Sequence, residues 1–413
     1  MYKQLINTTS FLTLLLTIYT VNQWSTINIG PTFFWWIVFI LMTICLIKLR
    51  TYSHINNHKD YLIIKIYIFW IIICIIRGMF IAENYWEWKN LITTSFILIM
   101  PLFVFISSNE DILSKIIQTW VKFAIPFFFI FFIFILNTEA YGRYFVPLSF
   151  LALFFPLLSL KWKFIILSFT FFIIFSDLTA RSNVIKAIVP LFFSFLYYFR
   201  KFFITKFLKL FHFFLIIMPF IFFILVLTGG FNIFKMNEYI DGEYESSTIV
   251  EDGSQANESL TTDTRTFLYV EVLQSALKNN YLVFGRTPAR GNDSVMFGDQ
   301  LESETNSKKY ERHSNEVAVL NIFTWTGLIG LLLYYLIFIK ASYLAVYSSN
   351  NVFIKILGTY VAFRWCFAWV EDFSKFDLTN IFLWIAIGMC FSEHFRNMDN
   401  FMFKNTVRNI FKK

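Results

Sequence analysis

The sequence predicts an all-α polytopic membrane protein of about twelve transmembrane helices, and three observations predict it. Hydrophobic residues make up 57% of the 413 and charged residues only 15%, with a mean hydropathy of +0.60, which is outside the range of soluble domains. Apolar runs long enough to cross a bilayer recur along the chain, separated by short charged loops. They give way once, at 230–316, to a polar stretch that cannot lie in hydrocarbon, because its backbone groups would have no partners there.

Taken in order, the runs lie near 8–26, 31–49, 61–82, 91–107, 113–136, 144–160, 163–179, 183–199, 207–228, 317–345, 353–371 and 379–393. The first, from Phe11 to Val21, lacks a strongly basic start and a small-residue cleavage site, so it reads as a retained span and not a signal peptide. Gly229-Gly230 stops the ninth. The 56 Phe and 20 Tyr suit lipid-facing and interfacial positions, and the abundant Phe, Ile, Asn and Lys hint at an AT-rich bacterial source. Cys45, Cys74, Cys366 and Cys390 all fall in apolar runs and read as small hydrophobes, with no disulfide or metal framework. The sequence carries no metal motif, phosphate-binding loop, dinucleotide fingerprint or nucleic-acid signature. No metal and no cofactor are therefore expected.

Charge sets the orientation. Lys48, Arg50, Lys59, Lys161, Lys163, Arg200, Lys201 and Lys206 fall in loops of one side, with Arg396, Lys404, Arg408, Lys412 and Lys413 in the tail. By the positive-inside rule that side is cytoplasmic. Glu83, Glu87, Glu139, Glu371 and Asp372 fall opposite, while Glu110 and Asp111 break the pattern. Both termini are then inside and the 230–316 loop outside, between a domain of nine spans (1–229) and one of three plus a basic tail (317–413). The loop carries 15 acidic and 8 basic residues, which leaves 12 acidic and 27 basic for the rest: an acidic exported segment on a basic scaffold.

The loop divides in two. Residues 236–261 are acidic, lack helical periodicity and read as a mobile loop or short hairpin. Residues 262–316 are expected to be ordered and partly helical. Thr262 or Asp263 can cap a helix whose apolar positions include Phe267, Val270, Leu273 and Leu277. Arg265 in its first turn opposes the helix dipole, and a residue set against local preference points to a task.

The candidate site draws on cations at this outer side, where positive charge is scarce. Arg181 precedes the eighth span, Arg286 and Arg290 share a Gly- and Pro-rich turn, and His313 precedes the tenth span together with Asn315. Guanidinium forks match phosphate oxygens in two-point contacts, and an imidazole can take a proton from an incoming hydroxyl. Plainer readings stand beside these: Arg181 reaching lipid phosphates, Arg286 or Arg290 paired with carboxylates of its own loop, His313 structural. Arg364 lies within the eleventh span, where a charge faces a cavity or a partner. Glu371 and Asp372 are the expected partners. Lys186 is placed similarly in the eighth.

Four segments carry a resemblance: Thr179-Ala180-Arg181-Ser182, Arg265 opening an amphipathic helix, Asn279-Asn280-Tyr281-Leu282-Val283-Phe284-Gly285, and His313-Ser314-Asn315 followed by Thr326-Gly327-Leu328-Ile329-Gly330. Together they resemble the O-antigen polymerase (Wzy-type) and O-antigen ligase superfamily of bacterial envelope glycosyltransferases. The match covers 179–330 by motif and the rest by topology. Tyr281 stands where the family usually has Pro, Ser314 separates His313 from Asn315, and Arg286 replaces a second Gly. The resemblance implies a GT-C-like membrane fold in the bacterial inner membrane with a large periplasmic loop. It implies metal-independent transfer of glycans from undecaprenyl pyrophosphate onto lipid-linked repeat units, with a chain-length regulator as a protein partner. It implies His313 and Arg265 as catalytic residues, and Arg181, Arg286, Arg290, Asn315 and Arg364 as substrate-binding ones. The alternatives are an O-antigen ligase acting on lipid A–core and, from another class, a lipid-linked oligosaccharide flippase or other twelve-span transporter. Against the transporter, the chain shows no internal repeat.

Overall fold

Long apolar runs leave the backbone only itself to bond, and the chain is accordingly all-α, 77% helical. The computed structural model describes residues 1–53, 58–176, 178, 180–199, 204–235, 238–239, 245–249, 255–259, 265–295 and 309–411. Thr179, Arg200, Lys201, Thr262, Asp263, Lys412, Lys413 and most of 236–261 lie outside them.

Among the described residues, eight helices are long and apolar enough to cross a membrane: Tyr2–Trp24, Thr32–Tyr52, Leu62–Ile81, Tyr85–Ile106, Glu110–Phe134, Arg181–Phe199, Thr205–Val226 and Ala318–Ser348. The chain is therefore a polytopic membrane protein. The other four expected runs are also helical but shorter. Leu160–Ser176, Val352–Phe367 and Leu378–Phe391 have 17, 16 and 14 residues. The expected 144–160 run is broken, ending the Glu139–Tyr144 helix and continuing as Val146–Ala152 and a turn at Phe155–Leu157. Every residue of Leu378–Phe391 is buried, which puts it at the centre of the bundle.

Contacts define two ends. At one, the Tyr2 ring packs tilted against Tyr52, Arg396 bonds Asp60, His394 faces Glu110 and Arg408 donates to the Leu157 carbonyl. At the other, Thr26 bonds Phe134, Arg143 lies over Trp24 and Asn183 donates to the Glu139 carbonyl. Residues 265–295 and 309–316 of the polar stretch gather at this second end. Its acidic half contains an antiparallel hairpin, Glu245–Ile249 with Gln255–Ser259. Its second half contains the Thr266–Lys278 helix and a two-residue ladder of Asn292–Asp293 with Glu311–Arg312.

One glycine joins this segment to the bundle. Ala318–Ser348 breaks at Gly327 (φ 69, ψ −173), freeing backbone groups that Leu282–Arg286 takes up. Leu328 N–H bonds Leu282 O at 3.0 Å, and Arg286 N–H bonds Thr324 O at 2.7 Å. Arg77 seals the joint by donating to the Phe284 carbonyl at 2.6 Å. Any Cβ on Gly327 would sit 2.2 Å from the Val283 oxygen, so only glycine fits.

Candidate functional site

Where the loop meets the bundle, a cavity of about 720 Å³ opens. Five cations line it, Arg143, Arg181, Arg265, Arg312 and Lys375, with four carboxylates, Glu139, Glu316, Glu371 and Asp372, and Arg143 pairs with Glu139 at 2.7 Å. They come from separate parts of the chain. Arg181 is the first residue of its helix. Arg143 lies in the last turn of the short Glu139–Tyr144 helix, brought close because Gly142 lets Asn183 approach to where a Cβ would stand 2.5 Å away. Arg265 takes the N-cap position of Thr266–Lys278 and is held by Val370 O at 3.3 Å and Glu316 at 2.7 Å. The Glu316 carboxylate is half exposed, so it is a displaceable partner.

The floor is a buried ion pair. Lys186 Nζ lies 2.9 Å from Glu371, with side chains 10% and 13% exposed. Beside it runs an amide network. Asn321 accepts from the Asn315 N–H at 2.6 Å and donates to the Asn315 carbonyl at 2.8 Å and to Ser374 at 3.0 Å. Asn315 also donates its Nδ2 to Asn292 at 2.9 Å. Its buried Oδ1 has no hydrogen-bond partner. Asn315 itself lines the cavity.

A second chamber of about 400 Å³ adjoins the first, and both are lined by Gln23, Trp24, Arg143, Ser314, Asp372 and Lys375. It combines aromatic faces, Tyr19, Trp24, Trp325 and Phe376, with polar groups on Asn22, Asn28, Asn90, Thr93 and Asp377. His313 lines it. Its Nε2 is 2.8 Å from the Thr94 hydroxyl, its ring stacks on Trp325, and Trp325 donates to its carbonyl at 3.1 Å. Burial lowers the His313 pKa to about 4, so the imidazole is neutral at physiological pH. An anion bound next door would raise it, favouring proton uptake.

The structure therefore brings Arg181, Arg265, Asn315 and His313 to one pair of adjoining chambers. Arg286 and Arg290 lie elsewhere. Arg286 pairs with Asp293 at 2.6 Å and Glu311 at 2.8 Å, and Arg290 with Glu311 and, at 3.7 Å, Glu87. Burial would raise Asp293, but hydrogen bonds from Lys278, Arg286 and Asn279 hold it at about 2. These two arginines brace the loop. Arg364 is also apart from the cavity, and neither expected partner reaches it. Glu371 is taken by Lys186 and Asp372 accepts from Ser374 and Asn321.

Sequence reasoning missed Arg143, Arg312, Lys375 and Thr94. The first could have been found by the argument that found Arg181, since Arg143 is a cation among acidic loops of the same side. Thr94 carried no signal, because a threonine inside a span normally bonds its own helix. Among the described residues, no group of three or more His, Cys, Asp or Glu is arranged to hold a metal ion.

No protein-family model, curated protein or solved structure matches this chain.

Proposed function

We propose that the chain is a polysaccharide polymerase of the bacterial inner membrane. It transfers a glycan from undecaprenyl pyrophosphate onto the non-reducing end of another lipid-linked repeat unit, as the resemblance to O-antigen polymerases implies. One observation carries this reading: a cavity lined by five cations and four carboxylates, set where a loop meets the membrane bundle, adjoining a chamber of aromatic and hydrogen-bonding groups. Fixed cations suit a pyrophosphate leaving group, whose charge grows as the glycosidic bond breaks. Aromatic faces with amides and hydroxyls suit a sugar.

In this reading Arg265 and Arg181, with Arg143 and Lys375, grip the pyrophosphate, and Glu316 yields Arg265 as substrate enters. Asn315 orients a sugar hydroxyl. The acceptor enters beside His313, where Thr94 fixes the ring and the bound pyrophosphate raises its affinity for the proton. The fold is GT-C-like, with twelve crossings. In this reading the shorter Leu160–Ser176, Val352–Phe367 and Leu378–Phe391 helices and the broken 139–157 segment count as the four crossings beyond the long eight. Lys48, Arg50, Lys161, Lys163, Lys404 and Arg408 mark the cytoplasmic end, which makes the cavity periplasmic.

The test uses purified protein with a synthetic undecaprenyl-pyrophosphate-linked repeat unit, in detergent, with no second membrane compartment. The reading predicts a ladder of products still attached to undecaprenyl pyrophosphate. Transfer only when lipid A–core is added would make the protein a ligase. No transfer to either acceptor would refute a glycosyltransferase.

A further inference from the structure

Beneath the cavity floor lies a third, smaller pocket of about 20 Å³, whose polar lining is Ser149, Lys186, Tyr360, Arg364 and Thr379. That volume admits one water-sized guest. Arg364 is 3% exposed, donates Nη1 to the Tyr360 hydroxyl at 3.2 Å, and leaves Nε and Nη2 buried without partners. The Thr379 hydroxyl, also 3% exposed, has none either. No carboxylate lines the pocket among the described residues, and the nearby Glu371 is engaged by Lys186 on the other side of the floor. A buried guanidinium without a counter-charge is costly, and more so inside a membrane bundle.

We propose that this pocket is a binding site for a small monovalent anion, chloride in the cell, seated between Arg364 and the Thr379 hydroxyl. The lining supplies donors: guanidinium Nε and Nη2, the Thr379 and Ser149 hydroxyls, and the Tyr360 O–H, whose oxygen already accepts from Arg364. It sets Arg364 against no acid, since the charge of Lys186 is already met by Glu371. Its apolar walls, Val146, Phe150, Phe382 and Leu383, suit a weakly hydrated halide over a strongly hydrated dianion. The site is separate from the large cavity, since Arg364 and Thr379 do not line it, and the proposal stands whatever the cavity binds.

The experiment is thermal unfolding of the purified full chain in detergent, exchanged into gluconate and titrated with chloride or bromide at constant ionic strength, with sulfate as control. The proposal predicts a saturable rise in melting temperature with either halide and none with sulfate. It predicts that Thr379→Val shifts the half-saturating concentration upward at least several-fold, and that Arg364→Met abolishes the response. Should Arg364→Met fail to fold, Ser149→Ala serves as the second variant, with a smaller upward shift. A halide-independent melting temperature, equal stabilisation by sulfate, or a wild-type midpoint in Thr379→Val would each overturn the site.

Discussion

The Lys186–Glu371 pair offers the most quantitative test of how the cavity floor is built. At 2.9 Å and an effective dielectric of ~20, the two charges attract by about 6 kcal/mol. Most of that offsets their desolvation, so deleting both is expected to cost little, whereas deleting one leaves a lone buried charge and costs about 3–5 kcal/mol. The two single variants are not equivalent. Lys186→Met leaves Glu371 near Arg143, which still attracts it, so its cost falls near ~3 kcal/mol. Glu371→Gln leaves Lys186 facing Arg143 and Arg364, both repulsive, so its cost falls near ~5 kcal/mol. The double variant should be more stable than either. Equilibrium unfolding in mixed micelles, followed by circular dichroism and tryptophan fluorescence, measures all four proteins. Additive destabilisation in the double variant would show that the two side chains are not coupled, and the floor as described would be wrong.

Three further outcomes follow from the same geometry. Gly327→Ala combines a positive φ with a Cβ 2.2 Å from a backbone oxygen, while Gly229→Ala has φ +72 but nothing within 4 Å. The first should abolish folded protein, seen by size-exclusion profile, and the second should cost only about 1–2 kcal/mol. His313 has its pKa lowered from 6.5 to about 4, so between these values the unfolded chain holds more protons. Stability should therefore fall as pH drops from about 6.5 towards 4, and His313→Gln should flatten that slope in pH-dependent unfolding. Arg286→Met and Arg290→Met release loop braces without touching the cavity. Limited proteolysis of the 286–312 region should accelerate, while transfer by the remaining folded protein stays within about tenfold of wild type, a barrier change of ~1.4 kcal/mol.

The eight long helices were legible because an apolar run declares itself without reference to its neighbours. The broken Glu139–Leu157 segment was not, because Pro147 and Pro156 interrupt helical bonding in a run whose hydropathy is unbroken. Within the site, Arg265 was legible from its conflict with the helix dipole, and Arg181 from its sign on an acidic side. Arg286 and Arg290 looked equally suitable. What decided their fate was the ladder of Asn292–Asp293 with Glu311–Arg312, which carries Glu311 back to both guanidinium groups from more than twenty residues away. The segments Leu282–Gly285 and Thr326–Gly330 read as signature motifs. The structure gives them a mechanical cause, the clasp at Gly327, and none of them lines the large cavity.

We propose that the large cavity and the His313 chamber form one active centre. Transfer from a synthetic undecaprenyl-pyrophosphate-linked repeat unit, measured with folded Arg265→Ala and His313→Ala proteins beside wild type, tests it most directly. Loss of a charge-assisted contact of about 1.5–3 kcal/mol predicts a rate some ten- to a hundredfold lower for Arg265→Ala, with a comparable or larger loss for His313→Ala. Product ladders of wild-type length and rate from both variants would contradict it.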